Sequence, residues 1–471
     1  MATKASRSKI EELKHKTADL GSVASSQYAK GLCFMPNLQS LNLDGVKLSE
    51  EFYSTMAIEA STSKIEKLTH ERADLGSDAS SHYARGLCSM PNLQSLYLYS
   101  VKLSDEFYSA MLAEASRSKI EKLKHETADL GSHASSHYAR GLCLMPNLRS
   151  LYLWSVKLSD EFYSTMASEA SRSKIEELTH ETADLGSAAS SHYARSLCSM
   201  PNLRSLGLDS VKLSDEFYST MASEASKSKI EELTHLNADL GSGASSHYAR
   251  CLCFMPHLQS LVLHDVELRD EFYSMMASEA SKSKIQTLSM KDFSIAPCRL
   301  HSILSLPRLQ SLSLTDIKRV DMDDEETLTR QIASVDELSV DGNHVASLWN
   351  LGLHTSCPRV NTLKLVWSKQ ENVSSDIVAM ACSTFHHLTH LHIQGPALID
   401  PVSFCKAVET SCPRLTKLSI TRINLYTKKA AEIIQLMKTH PHLTNIDLDS
   451  CRTNADLDPL ISEVNSEGKL T

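Results

Sequence analysis

The chain is 471 residues long and 42% apolar, with 15 glycines, 13 prolines and a net charge of −9. That apolar content excludes wholesale disorder, and the acidic balance disfavours nucleic acid as a default partner. No apolar run approaches the roughly 20 residues of a membrane span, and the N-terminal MATKASRSKIEELKHKTADLG has no apolar h-region, so no membrane segment or secretory signal is read.

Predicted elements begin at Ile10, the first of 17 unit starts. Starts follow at Leu38, Ile65, Leu93, Ile120, Leu148, Ile175, Leu203, Ile230, Leu258 and Ile285, spaced alternately by 28 and 27 residues. Leu309, Val335, Val360, Leu388, Leu415 and Leu443 continue at spacings of 24 to 28. Two units make a 55-residue block, marked by MPNLxSL at Met35, Met90, Met145 and Met200 and by MPHLQSL at Met255. Residues 1–283 therefore read as regular 55-residue double repeats, and 284–471 as a continuation of the same solenoid in more diverged copies.

Within a block, one half runs L-x-x-L-x-L-x-x-V-x-L, as at Leu148, Leu151, Leu153, Val156 and Leu158. Its partner runs I-x-x-L-x-H-x-x-A-x-L, as at Ile175, Leu178, His180, Ala183 and Leu185. Period-2 alternation around L-x-L predicts a short strand. The following segment carries Phe162, Met166 and Ala170 at helical spacing behind an N-cap Ser159, and predicts a helix of about three turns. So small a unit cannot bury its own apolar side, and units must stack on a shared core.

Cys33, Cys88, Cys143, Cys198 and Cys253 recur at the block period. They lie two units apart, beyond the roughly 7 Å reach of a disulfide, so small buried hydrophobes are expected in place of redox or metal roles. With no secretory signal, the 12 cysteines point to reduced thiols and a cytoplasmic location, and Asn372-Val373-Ser374 carries no meaning as a glycosylation site. His15, His70, His125, His180 and His235 replace a core leucine. Strands about 4.8 Å apart leave those copies nearly 10 Å from one another, too far to share an ion, so neutral histidines bonded to backbone are expected. The acidic run DMDDEETL (321–328) lacks the glycine and terminal Glu of a calcium loop and reads as a solvated helix start. No metal and no cofactor are expected.

L-x-x-L-x-L in alternating 27- and 28-residue units resembles the leucine-rich repeats of the ribonuclease-inhibitor type, which also form the sensor region of NOD-like receptors. The resemblance covers essentially the whole chain. It implies an α/β horseshoe of about 17 repeats, with a parallel β-sheet on the concave face and helices on the convex face. SCPRVNTLKL (356–365) and SCPRLTKLSI (411–420) resemble the cysteine-containing variant of some F-box proteins, although no F-box is found. The family's usual Asn or Cys at the ninth repeat position is replaced by Val46, Val101, Val156, Val211 and Val266 alternating with Ala18, Ala73, Ala128, Ala183 and Ala238. Turns are therefore expected to rest on packing and water.

Parallel strands send positions 4 and 6 into the core and positions 3, 5 and 7 outward. The leucine half varies outward: Asn42, Tyr97, Tyr152, Gly207 and Val262 at position 5, and Asp44, Tyr99, Trp154, Asp209 and His264 at position 7. The helices behind barely change, and one contrary column, Val23, Asp78, His133, Ala188 and Gly243, varies in what reads as the loop entering the helix. Drift at exposed sites explains such variation, and so does diversified recognition, which better fits its confinement to the strands. Tyr97, Tyr99, Tyr152 and Trp154 predict an aromatic patch with Lys124 and Glu126 on the strand between. Asp44, Asp209 and Asp265 flank it as partners for basic groups on a ligand, and Asn42 and His264 complete the expected site.

The expected function is a non-catalytic scaffold that binds a protein or peptide ligand through the concave face, either as the sensor region of an innate-immune NOD-like receptor or, alternatively, as a ribonuclease-inhibitor-like protein or adaptor with one fixed partner. No phosphate loop, G-x-S-x-G, H-E-x-x-H or paired-Cys zinc motif is present. A GTPase-activating role would need a loop Arg such as Arg319 or Arg330, which stand in no distinguishing pattern. Met1–Lys9 aligns without gap to Met166–Lys174, so the chain is expected to begin inside a repeat, leaving room for an N-terminal domain or partner over the uncapped first unit.

Overall fold

Every unit start is followed two residues later by a strand, and every start but Ile10 is buried, anchoring the chain just before the period-2 alternation turns it extended. The computed structural model describes residues 9–321, 332–367, 372–398, 400–425, 440–448 and 452–453, with Ile433 and Leu436. Most of the acidic run at 321–328, Arg330 and the first eight residues lie outside the described residues. Two units divide the chain, Met1–Leu258 and Gln259–Thr471.

The first unit carries nine repeat strands: β1 (Glu12–Lys16), β2 (Ser40–Asp44), β3 (Lys67–Glu71), β4 (Ser95–Tyr99), β5 (Lys122–Asp129), β6 (Ser150–Lys157), β7 (Glu177–Asp184), β8 (Ser205–Lys212) and β9 (Glu232–Asp239). Each pairs in parallel with the next, position against position, as in Leu96↔Leu123, Leu98↔His125 and Tyr99↔Glu126. The second unit carries eight more, from Ser260–Glu267 and Thr287–Lys291 to Lys417–Thr421 and Asn445–Asp447. Nine and eight match the 17 starts read from the sequence. The fold is an α/β leucine-rich repeat solenoid with a parallel strand layer backed by helices.

Two helix types alternate behind the first unit's strands. The leucine halves form ten-residue helices such as Asp160–Glu169, each ending in a 3-10 turn. The histidine halves mostly form 13-residue helices such as Ser132–Leu144. Phe162, Met166 and Ala170 are all buried. Ser159 takes the extended N-cap conformation, but its hydroxyl makes no capping bond, and its amide instead donates to Ser135 Oγ at 3.1 Å. Between strands and helices, Phe107, Tyr108, Tyr138, Phe162, Tyr163 and Tyr193 stack mostly edge to face at 5.2–5.9 Å, each repeat reaching into the next. Such contacts add to area burial and explain how units too small to fold alone share a core.

Two expectations need correction. The position-6 histidines do not bond backbone. His70 Nδ1 is hydrogen-bonded to the Tyr83 hydroxyl at 3.1 Å, His125 to Tyr138 at 3.1 Å and His235 to Tyr248 at 3.2 Å, each 13 residues on, whereas the rings of His180 and Tyr193 meet edge to face without that bond. A leucine-sized slot beside a buried phenol suits an imidazole, which satisfies the hydroxyl that a leucine would strand. The turns also do not rest on packing and water alone. The residue after position 7 is left-handed in most units, for example Ser100 at φ 50° and Ser155 at φ 50°. That twist aims its amide at the next strand: Arg72 N–H donates to Tyr99 O at 2.9 Å and Ser100 N–H to Glu126 O at 3.0 Å. A backbone ladder therefore replaces the missing side-chain bond.

In the second unit Trp367, 3% exposed, is pressed against two glycines. A Cβ on Gly342 would stand 2.2 Å from the indole, and one on Gly395 would stand 3.2 Å from Trp367 Cβ. Cys33, Cys88, Cys143, Cys198 and Cys253 are buried and unbridged, and burial pushes the Cys143 thiol up to about 12. Among the described residues no helix is long and apolar enough to cross a membrane.

Candidate functional site

The strand face turned away from the helices is set by the pleat: Leu96, Leu98, Leu151 and Leu153 go to the core, and positions 3, 5 and 7 project from the sheet. Parallel pairing without slip turns each position into a row across the strands.

The position-5 row brings Tyr97, Lys124 and Tyr152 together on β4, β5 and β6. Lys124 Nζ lies 5.5 Å from the Tyr97 ring centroid and 5.0 Å from that of Tyr152. Lys67 Nζ, from position 3 of β3, also stands over the Tyr97 ring, 5.2 Å from its centroid. The strand spacing thus seats an ammonium between two rings on alternate strands, a contact of about 0.5–1 kcal/mol at exposed sites.

Position 7, two residues further along the strands, brings together Tyr99, Glu126 and Trp154. The rings of Tyr99 and Trp154 are near-parallel, 16° apart, with centroids 6.5 Å apart. Each is 37% exposed, which puts them among the few large apolar side chains the molecule leaves to solvent. Glu126 lies between them in register, with Glu71 and Glu181 beyond on either side. The Glu126 carboxyl is held above its ordinary range, first by burial, with Glu181 and Glu71 adding to the shift and Lys124 opposing it. Burial, followed by the facing Glu181, likewise holds the Tyr152 phenol well above its usual value. The row is an alternation of carboxylates and aromatic rings with net negative charge.

The flanking residues are engaged within the fold. Asp44, 7% exposed, is paired with Arg72, whose Nε donates to Oδ1 at 2.8 Å. Asn42 Nδ2 donates to Glu71 at 3.3 Å. Asp209 accepts from Asn237 Nδ2 at 2.6 Å and from Ser210 Oγ at 2.9 Å. His264 and Asp265 belong to the second unit, where His264 Nε2 meets Asp292 Oδ2 at 2.6 Å and Asp265, in a left-handed turn, pairs with Lys318. Six of the expected residues, Tyr97, Tyr99, Lys124, Glu126, Tyr152 and Trp154, therefore form one cluster on the first unit; Asn42 and Asp44 lie at its edge beside Glu71, Asp209 lies beside Glu181, and His264 and Asp265 belong to the second unit. Glu71, Glu181 and Lys67 belong to the cluster and were not anticipated. Their signal was the Glu at position 7 of HER and HET in successive histidine halves, the column that holds Glu126.

The sequence matches no family model and no curated protein. Among solved structures it is similar to a chain of the TLR13–ssRNA13 complex, at 13% identity and a TM-score of 0.46, covering 92% of this chain and 62% of that one. It is also similar to an internalin (inlF) from Listeria monocytogenes, at 14% identity and a TM-score of 0.30, covering 98% of this chain and 86% of that one. A chain of the yeast Rad7 and Elc1 complex is similar at 14% identity and a TM-score of 0.33, covering 91% of this chain and 88% of that one. The chain thus spans less than two thirds of the TLR13 chain's length.

Proposed function

We propose that the protein is a non-catalytic binding scaffold that takes a protein or peptide ligand on the open strand face of its first unit, centred on Tyr99, Glu126 and Trp154. The observation that carries this reading is the position-7 row, where two large aromatic rings remain exposed beside a carboxylate, Glu126, that has no ion pair among the described residues. Exposed aromatics on a rigid sheet contribute much contact area for little ordering entropy, the common chemistry of interface hot spots. Concentration of the repeat variation at strand positions 5 and 7 supports the same reading, since the helices, apart from the column at Val23, Asp78, His133, Ala188 and Gly243 in their first turns, barely change.

We place the repeats in the ribonuclease-inhibitor class on the alternation of 28- and 27-residue units, and the cytoplasm is the compartment that suits 12 cysteines. The negative row favours a basic ligand over nucleic acid. The test is an affinity measurement on ligands captured by the full chain. Tyr99→Ala/Trp154→Ala should weaken a strand-face ligand by more than about 1 kcal/mol, while Ser164→Ala on the helix side should leave it unchanged. The opposite pattern refutes the assignment.

A further inference from the structure

Two rows of the same sheet share one frame and differ in a single respect. At position 5 the order across β4, β5 and β6 is ring, cation, ring: Tyr97, Lys124, Tyr152, with the ammonium 5.5 and 5.0 Å from the two centroids. At position 7 the order is ring, carboxylate, ring: Tyr99, Glu126, Trp154. The fold fills the first frame with its own cation. In the second it supplies the rings and the counter-charge, and the cation has to come from elsewhere.

The second frame has the dimensions of a slot. Its rings are 16° from parallel with centroids 6.5 Å apart, so a planar group at the midpoint lies about 3.3 Å from each centroid, well inside the roughly 6 Å reach of a cation–π contact. A tetrahedral ammonium fills such a flat gap poorly. A guanidinium is planar, stacks on aromatic faces, and presents paired N–H donors to a carboxylate in its own plane. Glu126 stands between the rings in register and makes no side-chain ion pair among the described residues, and Glu71 and Glu181 deepen the negative field on either side.

We propose that the gap between Tyr99 and Trp154 is a slot for one arginine side chain of a partner polypeptide, with the guanidinium stacked between the rings and paired with Glu126. This rests on the strand-face reading above and gives it a partner chemistry. Lys124, two residues back along the strands, and Lys67, four back, set the polarity of the ligand: its acidic or carbonyl-bearing side faces positions 3 and 5 and its arginine faces position 7.

The test is fluorescence anisotropy of the full chain with labelled nona-arginine and nona-lysine peptides at near-physiological salt, using wild type, Tyr99→Ala/Trp154→Ala, Glu126→Gln, and the triple variant Glu71→Gln/Glu126→Gln/Glu181→Gln. The slot predicts that nona-arginine binds wild type about tenfold more tightly than nona-lysine. Removing both rings should abolish that preference, and Glu126→Gln should weaken nona-arginine several-fold more than nona-lysine. Equal binding of the two peptides, lost in the triple variant, overturns the arginine slot and leaves the strand-face reading standing. Binding insensitive to every strand-face substitution overturns both. Tight capture of a uridine oligonucleotide that is lost in Tyr99→Ala/Trp154→Ala, without any arginine preference, replaces the guanidinium with a stacked base and overturns the proposal.

Discussion

Acid should loosen this solenoid well above the pH at which carboxylates titrate, and the buried histidines set how much. His70, His125, His180 and His235 are each held down to about 4 by burial, against an unfolded value near 6.5. A histidine whose folded pKa lies below its unfolded one gains a proton only in the unfolded chain as pH falls through 6.5. Stability is therefore full above about pH 7 and is lost progressively down to about pH 4. Between pH 7 and pH 5 the linkage amounts to about 2 kcal/mol for each histidine and roughly 7 kcal/mol for four, comparable with the stability of a whole domain. The perturbation is His125→Leu with Tyr138→Phe. Leucine holds position 6 on the flanking strands, at Leu98 and Leu153, and the second change removes the phenol that the imidazole satisfies. Urea unfolding followed by circular dichroism at both pH values is the assay. The pair should shrink the loss between pH 7 and pH 5 by about 2 kcal/mol, with a smaller change at pH 7 itself. An identical loss in wild type and variant would refute the argument that these imidazoles are buried neutral.

Other expectations follow from single contacts. Gly342→Ala should destabilise the second unit by about 1–3 kcal/mol, because its Cβ would meet a buried indole at 2.2 Å, and a normal urea midpoint would remove that argument. Ser155→Val, which puts a β-branched residue at φ 50°, should cost about 1–2 kcal/mol, whereas Ser155→Gly should be neutral or stabilising by thermal melt. Thiol labelling of the native chain should reach exposed Cys298 quickly and leave Cys143 and Cys198 unreacted until urea is added; rapid labelling of either buried thiol would contradict the packed core. Arg72→Ala should lower the urea midpoint, because it leaves the Asp44 carboxylate buried without its partner.

How much of this was legible in the sequence depends on whether a feature repeats. The inward alternation at positions 4 and 6, repeated in 17 copies as Leu-x-Leu or with His, Met, Val or Ile in place of a leucine, fixes strand position, register and the inward or outward sense of each side chain, so the fold and the rows of Tyr97, Tyr99, Tyr152 and Trp154 could be read directly. The imidazole–phenol bond was legible in principle, since His and Tyr recur 13 residues apart in every block, but the spacing has meaning only once the helix is folded back over the strand. Asp44 is different. Its partner Arg72 occupies a left-handed turn position held elsewhere by Thr127, Thr182 and Asn237, so a pairing made once leaves no periodic trace. The engagement of Asp209 by Asn237 is hidden for the same reason. The exposure of the Tyr99–Trp154 pair and the gap between its rings are products of side-chain rotamers, which alternation alone does not determine.

The central claim is that recognition takes place on the strand face around Tyr99, Glu126 and Trp154. It is tested most directly by placing a photoreactive residue at position 152 on the strand face, or at position 164 on the helix side, and comparing crosslinks to ligands captured by the full chain. Crosslinks that form from position 152, vanish with Tyr99→Ala/Trp154→Ala and are absent from position 164 are the predicted result. Crosslinks from position 164 that persist in the double variant, with none from position 152, would contradict it.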